Sequence, residues 1–153
     1  MHPSMENENK ALVRRWFEEV WNRGREELIE QLRAPDTRAT GLGEGNRESL
    51  GHAPFKAFYS NLRRTFPDLH VTIEDIVAEG DKIAVRISMV GTHMGDALGT
   101  PPTGRTVSFG GIIMARIVDG RIAEAWNQID QLGILKQIGA LPPDARPDRF
   151  LST

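Results

Sequence analysis

The chain has 153 residues, of which 19 are basic and 21 are acidic, giving a formal net charge of −2 at pH 7. This length predicts a single domain over 1–153 with room for an enclosed core. Because no block of lysine and arginine is present, we expect no nucleic-acid partner. The chain has no cysteine, which excludes a disulfide framework, a thiol nucleophile and a cysteine-based metal site.

The hydropathy of the chain predicts a soluble, cytoplasmic protein with no membrane partner. The first ten residues are polar and lack the apolar core of a signal peptide. No later stretch reaches the ~18 apolar residues of a membrane span. We expect residues 1–6 to be flexible and the proline-containing segment 142–153 to form an extended C-terminal arm.

The N-terminal half predicts helices before any sheet. Residues 7–22 carry apolar side chains at spacings of three and four, which is typical of an amphipathic helix. A second helix over 25–32 is expected to end before Pro35, because a proline ring clashes within a continuing helix. Residues 53–66 have the same helical spacing and predict a third helix. The polar segment between the second and third helices, 35–51, is interpreted as a loop with at most one short strand.

Beyond residue 68 the hydrophobic period changes from that of a helix to that of a strand. Four long strands are predicted over 69–79, 82–93, 106–118 and 121–129, with a turn-rich loop before the third. Helices followed by such a meander predict an α+β fold, in which the helices pack on one face of a curved, mainly antiparallel sheet. A twisted sheet wrapped around a helix would form a cone, whose apolar interior suits a hydrophobic small molecule.

Asp130 lies where the last strand gives way to a short helical segment. Ideal alternation places it on the same strand face as Trp126. An acid between an aromatic residue and an apolar helix is expected to be partly desolvated, which would suit it to proton transfer. Aspartate is also a preferred N-cap residue, so capping this helix is the alternative, and the two roles are compatible.

Four segments together resemble a known family. They are WFEEVWNRG (16–24), the long segment 55–86, GTHMGDALGTPPTGRTV (91–107) and WNQIDQLGILKQIG (126–139). They resemble the SnoaL-like polyketide cyclases and ester cyclases of the nuclear transport factor 2-like superfamily. The resemblance implies a cone-shaped α+β barrel. It also implies an intramolecular aldol ring closure without metal or organic cofactor, with Asp130 as the acid/base.

Two parts of the chain depart from the family pattern. A Gln and a His that the characterised cyclases carry on the strand before the acid correspond to Met114 and Arg116 here. The strand after the second helix usually carries acidic and histidine residues, whereas this chain has Arg-Ala-Thr-Gly-Leu at 38–42. The resemblance therefore leaves the substrate open.

Two histidines are further candidates for the site. His93 ends a predicted strand, where its imidazole could polarise a substrate carbonyl or exchange a proton with Asp130. The alternative is that His93 only holds the following loop in place. His52 lies at the start of the third predicted helix and is a candidate for substrate binding, with helix capping or solvent exposure as the alternative.

Four apolar or aromatic residues complete the predicted substrate-binding set. Trp126 and Tyr59 could stack on a planar substrate or donate hydrogen bonds to it, although buried aromatic residues are more often simply core. Phe17 and Met114 have the same two interpretations.

Neither a metal nor a cofactor is predicted. No two histidines have metal-ligand spacing with a carboxylate, and the loop glycines match no phosphate-binding motif. The expected partners are a hydrophobic carbonyl compound and further copies of the chain, as a homodimer or higher homo-oligomer formed through the sheet. The alternative functions are isomerisation, epoxide hydrolysis or hydroxylation in the same cavity, or a non-catalytic dimeric domain that binds small molecules.

Overall fold

A computed structural model describes residues 4–43, 47–142 and 144. Four α-helices and six β-strands make up the fold. In chain order they are α1 (Met5–Arg15), α2 (Ile29–Leu32), β1 (Arg33–Thr40), β2 (Glu48–Leu50), α3 (His52–Thr65), β3 (His70–Glu79), β4 (Lys82–Thr92), β5 (Thr106–Val118), β6 (Arg121–Ile129) and α4 (Gln131–Gln137).

The first helix consists of an α-helical part, α1, followed by a π-helical part. The hydroxyl of Ser4 accepts a hydrogen bond from the backbone N–H of Asn7, which caps α1. Residues 5 and 6, predicted to be flexible, therefore begin the helix, while residues 1–3 lie outside the described residues. The helix continues as a π-helix over Trp16–Asn22. In this wider winding residues i and i+5 share a side, so Trp16 and Trp21 both face the interior.

The six strands form one open sheet in the order β2-β1-β6-β5-β4-β3. Strands β3 to β6 form an antiparallel meander, as predicted, and β1 joins it by pairing parallel with β6. The helices and the inward residues of the sheet share one hydrophobic core. The predicted α+β fold with helices on a mainly antiparallel sheet is confirmed, although the sheet keeps two edges, β2 and β3, and does not close into a barrel.

The segment 35–51, interpreted as a loop with at most one short strand, contains two strands, and the first of them begins before it. Residues Arg33–Thr40 form β1, which pairs with both β2 and β6. Pro35 lies between Arg33 and Arg38, where the register of the parallel pairing shifts, so its missing N–H is not needed in the ladder. The strand is held by a partner almost ninety residues away, a contact that a local sequence pattern does not encode.

A bulge also changes which face of β6 is buried. The pairing between β5 and β6 shifts between Arg116 and Ile117, where Ile117 opposes Ile122 and Arg116 opposes Glu124. The shift inserts an extra residue into β6, so the alternation reverses after Ile122. Uninterrupted alternation would put Ile122 and Trp126 on one face, but Ile122 lines the cavity and Trp126 does not.

The C-terminal arm predicted over 142–153 lies almost entirely outside the described residues, of which only Pro142 and Asp144 belong to it. None of the described helices is both long and apolar enough to cross a membrane.

Candidate active site

The helices and the sheet enclose a cavity of about 630 Å³ between them. Its wall is mainly apolar and includes the inward residues of β4, namely Ile83, Val85, Ile87 and Met89. A volume of this size falls in the range of small-molecule sites, ~300–1,000 Å³. Five polar side chains also reach the wall: Arg33, Asn61, Thr65, Asn127 and Gln131.

Aromatic side chains form one side of the cavity. Trp16 and Phe55 pack with their ring centroids 5.3 Å apart, and the ring of Trp21 meets Phe58 edge-on at 6.2 Å. Phe17, predicted to bind substrate, also lines the cavity. Such rings provide a flat apolar surface against which a planar ligand could stack.

Asp130 is the N-cap of α4. Its Oδ1 accepts a hydrogen bond from the backbone N–H of Gly133 at 2.9 Å, so the capping interpretation describes its local geometry. The expectation that Asp130 is desolvated is wrong for the chain as described, because the residue is exposed. Its neighbours Ile129 and Gln131 both line the cavity, whereas Asp130 is not part of the wall.

His93 is fully buried beneath the loop that follows it. Its Nδ1 accepts a hydrogen bond from the backbone N–H of Thr103 at 3.2 Å and lies 2.9 Å from the Thr103 hydroxyl. Nε2 has no hydrogen-bond partner within the described chain and thus makes no contact with Asp130. The side chain does not line the cavity. His93 therefore ties down the loop, as its structural alternative predicted, and the structure does not bring it together with Asp130.

Tyr59 and His52 also lie outside the cavity wall. Tyr59 is 4% exposed, packs on Trp21 with ring centroids 4.9 Å apart, and donates its hydroxyl hydrogen bond to the carbonyl of Val20 at 2.8 Å. It is thus a core residue, as the alternative held. His52 begins α3, and its Nδ1 is buried without a partner among the described residues. Burial lowers the pKa of His52, with the positive charge of Arg33 acting in the same direction.

Trp126 and Met114 are on the outer face of the sheet, opposite one another on β6 and β5. They are 37% and 43% exposed, and neither lines the cavity. Their predicted contact with a substrate in the cavity is therefore incompatible with this placement. For Trp126 the reason is the bulge in β6, which turns Ala125 and Asn127 inward and Trp126 outward. Met114 lies between Ile113 and Ala115, which both line the cavity, so the regular alternation of β5 places it outside.

Two polar residues of the wall were not among the predicted site residues. Asn127 is buried, and its side-chain amide donates to the carbonyl of Thr40 at 2.8 Å. Its inward position depends on the bulge, which the alternation of β6 alone does not reveal. Arg33 is 2% exposed and begins β1, which was assigned to a helix end and a loop. The only sign of a buried arginine in the sequence was its position directly after Leu32, the last apolar residue of the second predicted helix.

Comparison with known proteins assigns the family. The model of the SnoaL-like polyketide cyclases matches residues 11–138. The chain belongs to the SnoaL-like polyketide cyclases.

Two relatives act on methyl esters, as their names state. Aklanonic acid methyl ester cyclase DauD of Streptomyces sp. (strain C5) is 32% identical over 156 residues, which cover 93% of this chain and 96% of the relative. Nogalonic acid methyl ester cyclase of Streptomyces nogalater is 30% identical over 130 residues, covering 82% and 93%.

Solved structures agree with the fold. AclR from Streptomyces galilaeus, a proposed hydroxylase, superposes with a TM-score of 0.81 at 31% identity, covering 95% of this chain and 88% of AclR. A proposed SnoaL-like polyketide cyclase from Jannaschia sp. CCS1 gives a TM-score of 0.82 at 28% identity, covering 93% and 99%.

Of the positions at which this SnoaL-like chain departs from the family pattern, Met114 and Arg116 point away from the cavity, whereas Ala39, Gly41 and Leu42 line it. Arg116 forms an ion pair with Glu124 across β5 and β6, with Nη2 2.8 Å from Oε1. Met114 lies on the same outer face. Between them, Ala115 faces inward and lines the cavity. In the described part of the chain no three metal-ligating side chains come together.

Proposed function

We propose that this SnoaL-like chain closes a ring within a hydrophobic polyketide by intramolecular aldol addition, using its own side chains and no cofactor. The observation that carries the proposal is the cavity of about 630 Å³ with its aromatic side, in a chain of this family. The names of the relatives DauD and the Streptomyces nogalater cyclase support a methyl ester of a polyketide acid as the substrate class. A cavity that holds a flexible chain folded brings both reacting carbons together, which can lower a barrier by roughly 7–11 kcal/mol.

Asp130 is the proposed acid/base. It is exposed, and it lies between two wall residues, Ile129 and Gln131, so we place it at the rim of the cavity. Its carboxylate would take a proton from the carbon next to a carbonyl. The resulting enolate would attack a second carbonyl of the same molecule, and the new alkoxide would then receive a proton. A substrate that fills the cavity would exclude water from the reacting carbons.

Asn127 is the proposed partner for the oxygen that becomes negative. Unlike His93, it lines the cavity, and it precedes Asp130 by three residues on the same strand. One amide hydrogen is used in the bond to Thr40, which fixes the side chain, and the second remains available as a donor. A fixed donor in a cavity of low polarity stabilises a developing alkoxide more than it would in water.

Incubation of the purified protein with aklanonic acid methyl ester or nogalonic acid methyl ester tests the proposal. An intramolecular aldol addition gives a product of unchanged mass and altered chromatographic mobility. We expect wild-type protein to accelerate its appearance, with or without a chelator present. Absence of both binding and isomerisation for the two esters would contradict the proposed function.

Filling the cavity provides a matched pair of variants. Ala125 lines the cavity, and Ala84 lies on the outer face of the sheet, opposite Met114. We expect Ala125→Phe to abolish ester binding while leaving a folded protein, because the new ring takes the place of the ligand. Ala84→Phe should bind as the wild type does.

Hydroxylation is a second candidate function, supported by the similarity to AclR over 95% of this chain. The same assay separates the two reactions, because a hydroxylation adds one oxygen atom to the product mass and an aldol addition adds none. A product heavier by one oxygen would favour this alternative.

We also propose that two copies of the chain pair through the outer face of the sheet. The exposed apolar side chains on β5 and β6 support it, among them Ile112 at 55% exposure together with Met114 and Trp126. Contiguous exposed apolar surface of this kind commonly marks an interface. Light scattering on the wild type and on Ile112→Lys tests it, with a dimer expected for the first and a monomer for the second.

A further inference from the structure

Arg33 is a cation buried in the wall of the cavity. It follows the last residue of α2 and opens β1, and its pairing with Ile122 anchors its backbone to β6. Only 2% of the residue is exposed, and its side chain contributes to the cavity wall. Arginine is rarely buried to this extent without a partner, because removing its charge from water is costly.

The contacts of Arg33 within the protein do not neutralise its charge. Nη1 donates to the carbonyl of Gly51 at 3.3 Å, which is long for such a bond, and the guanidinium carbon lies 4.2 Å from the centre of the Phe55 ring. No carboxylate lies within 4 Å of the guanidinium in the described parts of the chain. The acid at Glu30, in α2, forms its ion pair with Lys56 instead.

The guanidinium keeps its charge at neutral pH. Burial lowers the pKa of Arg33 to about 10, which still leaves it protonated at pH 7. The cavity therefore contains a permanent positive charge beside an aromatic ring. A buried charge that lacks a partner destabilises the structure, and the geometry of a guanidinium suits an anion with two oxygens.

We propose that Arg33 binds an anionic oxygen group, such as a carboxylate or an ionised hydroxyl, on the ligand of this cavity. This inference rests on the proposed function, since it requires a ligand in the cavity. A neutral ligand leaves the guanidinium unpaired, whereas an acidic one supplies its counter-ion. Arg33 thereby selects acidic compounds, with the aromatic body of the ligand packed near Phe55.

The register of the sheet separates this subsite from Asp130. Arg33 pairs with Ile122, and Asp130 follows Ile122 by eight residues, just past the end of β6. Because one of these residues is the extra one of the bulge, about seven rises of ~3.3 Å remain, and the two backbone levels are roughly 23 Å apart. The anion bound by Arg33 is thus remote from the carbon that Asp130 would deprotonate. Arg33 is a positioning and specificity residue, which fixes the far end of an elongated ligand.

A pair of fluorescent probes tests the inference. Anthracene-2-carboxylate and anthracene-2-carboxamide have the same apolar body and differ in charge. We expect the wild-type protein at pH 7 to bind the carboxylate at least tenfold more tightly than the amide. Titrations followed by fluorescence and by calorimetry give both dissociation constants.

Variants assign the preference to Arg33. Arg33→Met keeps an unbranched side chain and removes the charge, so we expect carboxylate affinity to fall at least tenfold and amide affinity to be unchanged or higher. Arg33→Lys keeps the charge and should retain part of the preference for the carboxylate. The matched control is Arg38→Met, because Arg38 lies on the same strand and is exposed outside the cavity wall. It should behave as the wild type.

The outcomes separate this inference from the proposed function. Equal binding of both probes by the wild type overturns the role of Arg33 and leaves a ligand-binding cavity. A preference for the carboxylate that survives in Arg33→Met also overturns it. Binding of neither probe contradicts both the inference and the cavity on which it rests. Should Arg33→Met fail to fold, the wild-type comparison and Arg33→Lys still decide the matter.

Discussion

Asp130 and Gly133 are joined by a hydrogen bond of 2.9 Å from the backbone N–H of Gly133 to the carboxylate of Asp130. An ideal Cβ built on Gly133 would lie 2.3 Å from Oδ2 of the same carboxylate. A side chain at position 133 would clash with the carboxylate of Asp130. The glycine therefore allows this carboxylate to lie directly against the first turn of α4. One carboxylate oxygen is thereby held by the helix, and the acid is fixed at the end of β6.

Two substitutions at Asp130 separate its cap role from its proposed chemistry. Asparagine caps helices as well as aspartate does, so Asp130→Asn should keep the stability of the wild type and abolish ester cyclisation. Asp130→Ala removes the cap as well and should lower the free energy of unfolding by about 1 kcal/mol. Denaturant unfolding and the cyclisation assay measure the two effects. Full activity in Asp130→Asn would remove the residue from the mechanism.

Tyr59→Phe distinguishes a core residue from a substrate-binding one. The substitution leaves the carbonyl of Val20 without its hydrogen bond and should reduce the free energy of unfolding by about 1 kcal/mol. Since Tyr59 is not in the cavity wall, the KM for a methyl ester substrate should be unaltered. A KM raised several-fold with unchanged stability would restore the original prediction of substrate contact.

Gly41 directly follows β1, where the backbone lies so close to that of β6 that no side chain fits. It has a φ of 78°, and an ideal Cβ there would lie 1.9 Å from the carbonyl oxygen of Asn127. Gly41→Ala therefore combines an unfavourable backbone conformation with a clash and should lower the free energy of unfolding by roughly 3 kcal/mol. Gly120→Ala is the matched control, because Gly120 has a φ of 73° with open space around it. It should lose only about 1 kcal/mol. Similar losses in both variants would show that the contact with Asn127 is unimportant.

The environment of His52 predicts a loss of stability in mild acid. Its pKa is lowered in the folded protein, chiefly by burial and next by the charge of Arg33, whereas the unfolded chain titrates near 6.5. As the pH falls below ~6.5, the unfolded state takes up a proton before the folded state does. The contribution of neutral His52 to the free energy of unfolding is therefore fully present above that pH. It is lost as the pH falls from there through the pKa of the folded state.

Thermal melts of the wild type and of His52→Gln between pH 8 and pH 5 measure this effect. Between pH 8 and pH 5 the melting temperature of the variant should fall by less than that of the wild type, because the variant has no imidazole at this position to protonate. At pH 8, where the imidazole is neutral in both states, any difference between the two proteins reports packing alone. A wild-type slope retained in His52→Gln would mean that other groups carry the acid sensitivity.

Much of the fold followed from local sequence patterns. The helical spacing in 53–66 and the alternation in 106–118 each involve neighbours along one element, so α3 and β5 were predicted within a residue or two of their observed ends. The meander followed because its turns join strands that are adjacent in sequence. The first strand was predicted only as a short one within a loop, since its stability comes from parallel pairing with β6.

The sequence predicted an apolar cavity and an acid beside it, but it placed several of the proposed substrate-binding residues wrongly. The sequence identified Asp130 and its position at the junction of a strand and a helix, as well as Phe17 on an inward face. Trp126 was assigned to the wrong face because the orientation of a strand residue changes sides with a single inserted residue. Met114 needs no such explanation, since the regular alternation of β5 already places it opposite to the inward residues Ile113 and Ala115. His93 was a candidate because it ends a strand before the glycine-rich loop, in a segment that resembles the family, whereas in the structure its partner is Thr103 in that loop.

The amino-acid sequence by itself determined α3, the meander from β3 to β6 and the acid that follows β6, because each depends on residues close together in the chain. It also determined the family, since the match over residues 11–138 needs no structure. Only the tertiary structure decided that Asp130 is exposed, that Asn127 faces the cavity and that Arg33 is buried without a carboxylate beside it. These properties depend on strand register and on which distant atoms exclude water from a side chain. Both are settled when β1, β5 and β6 pair, and no stretch of the chain fixes them alone.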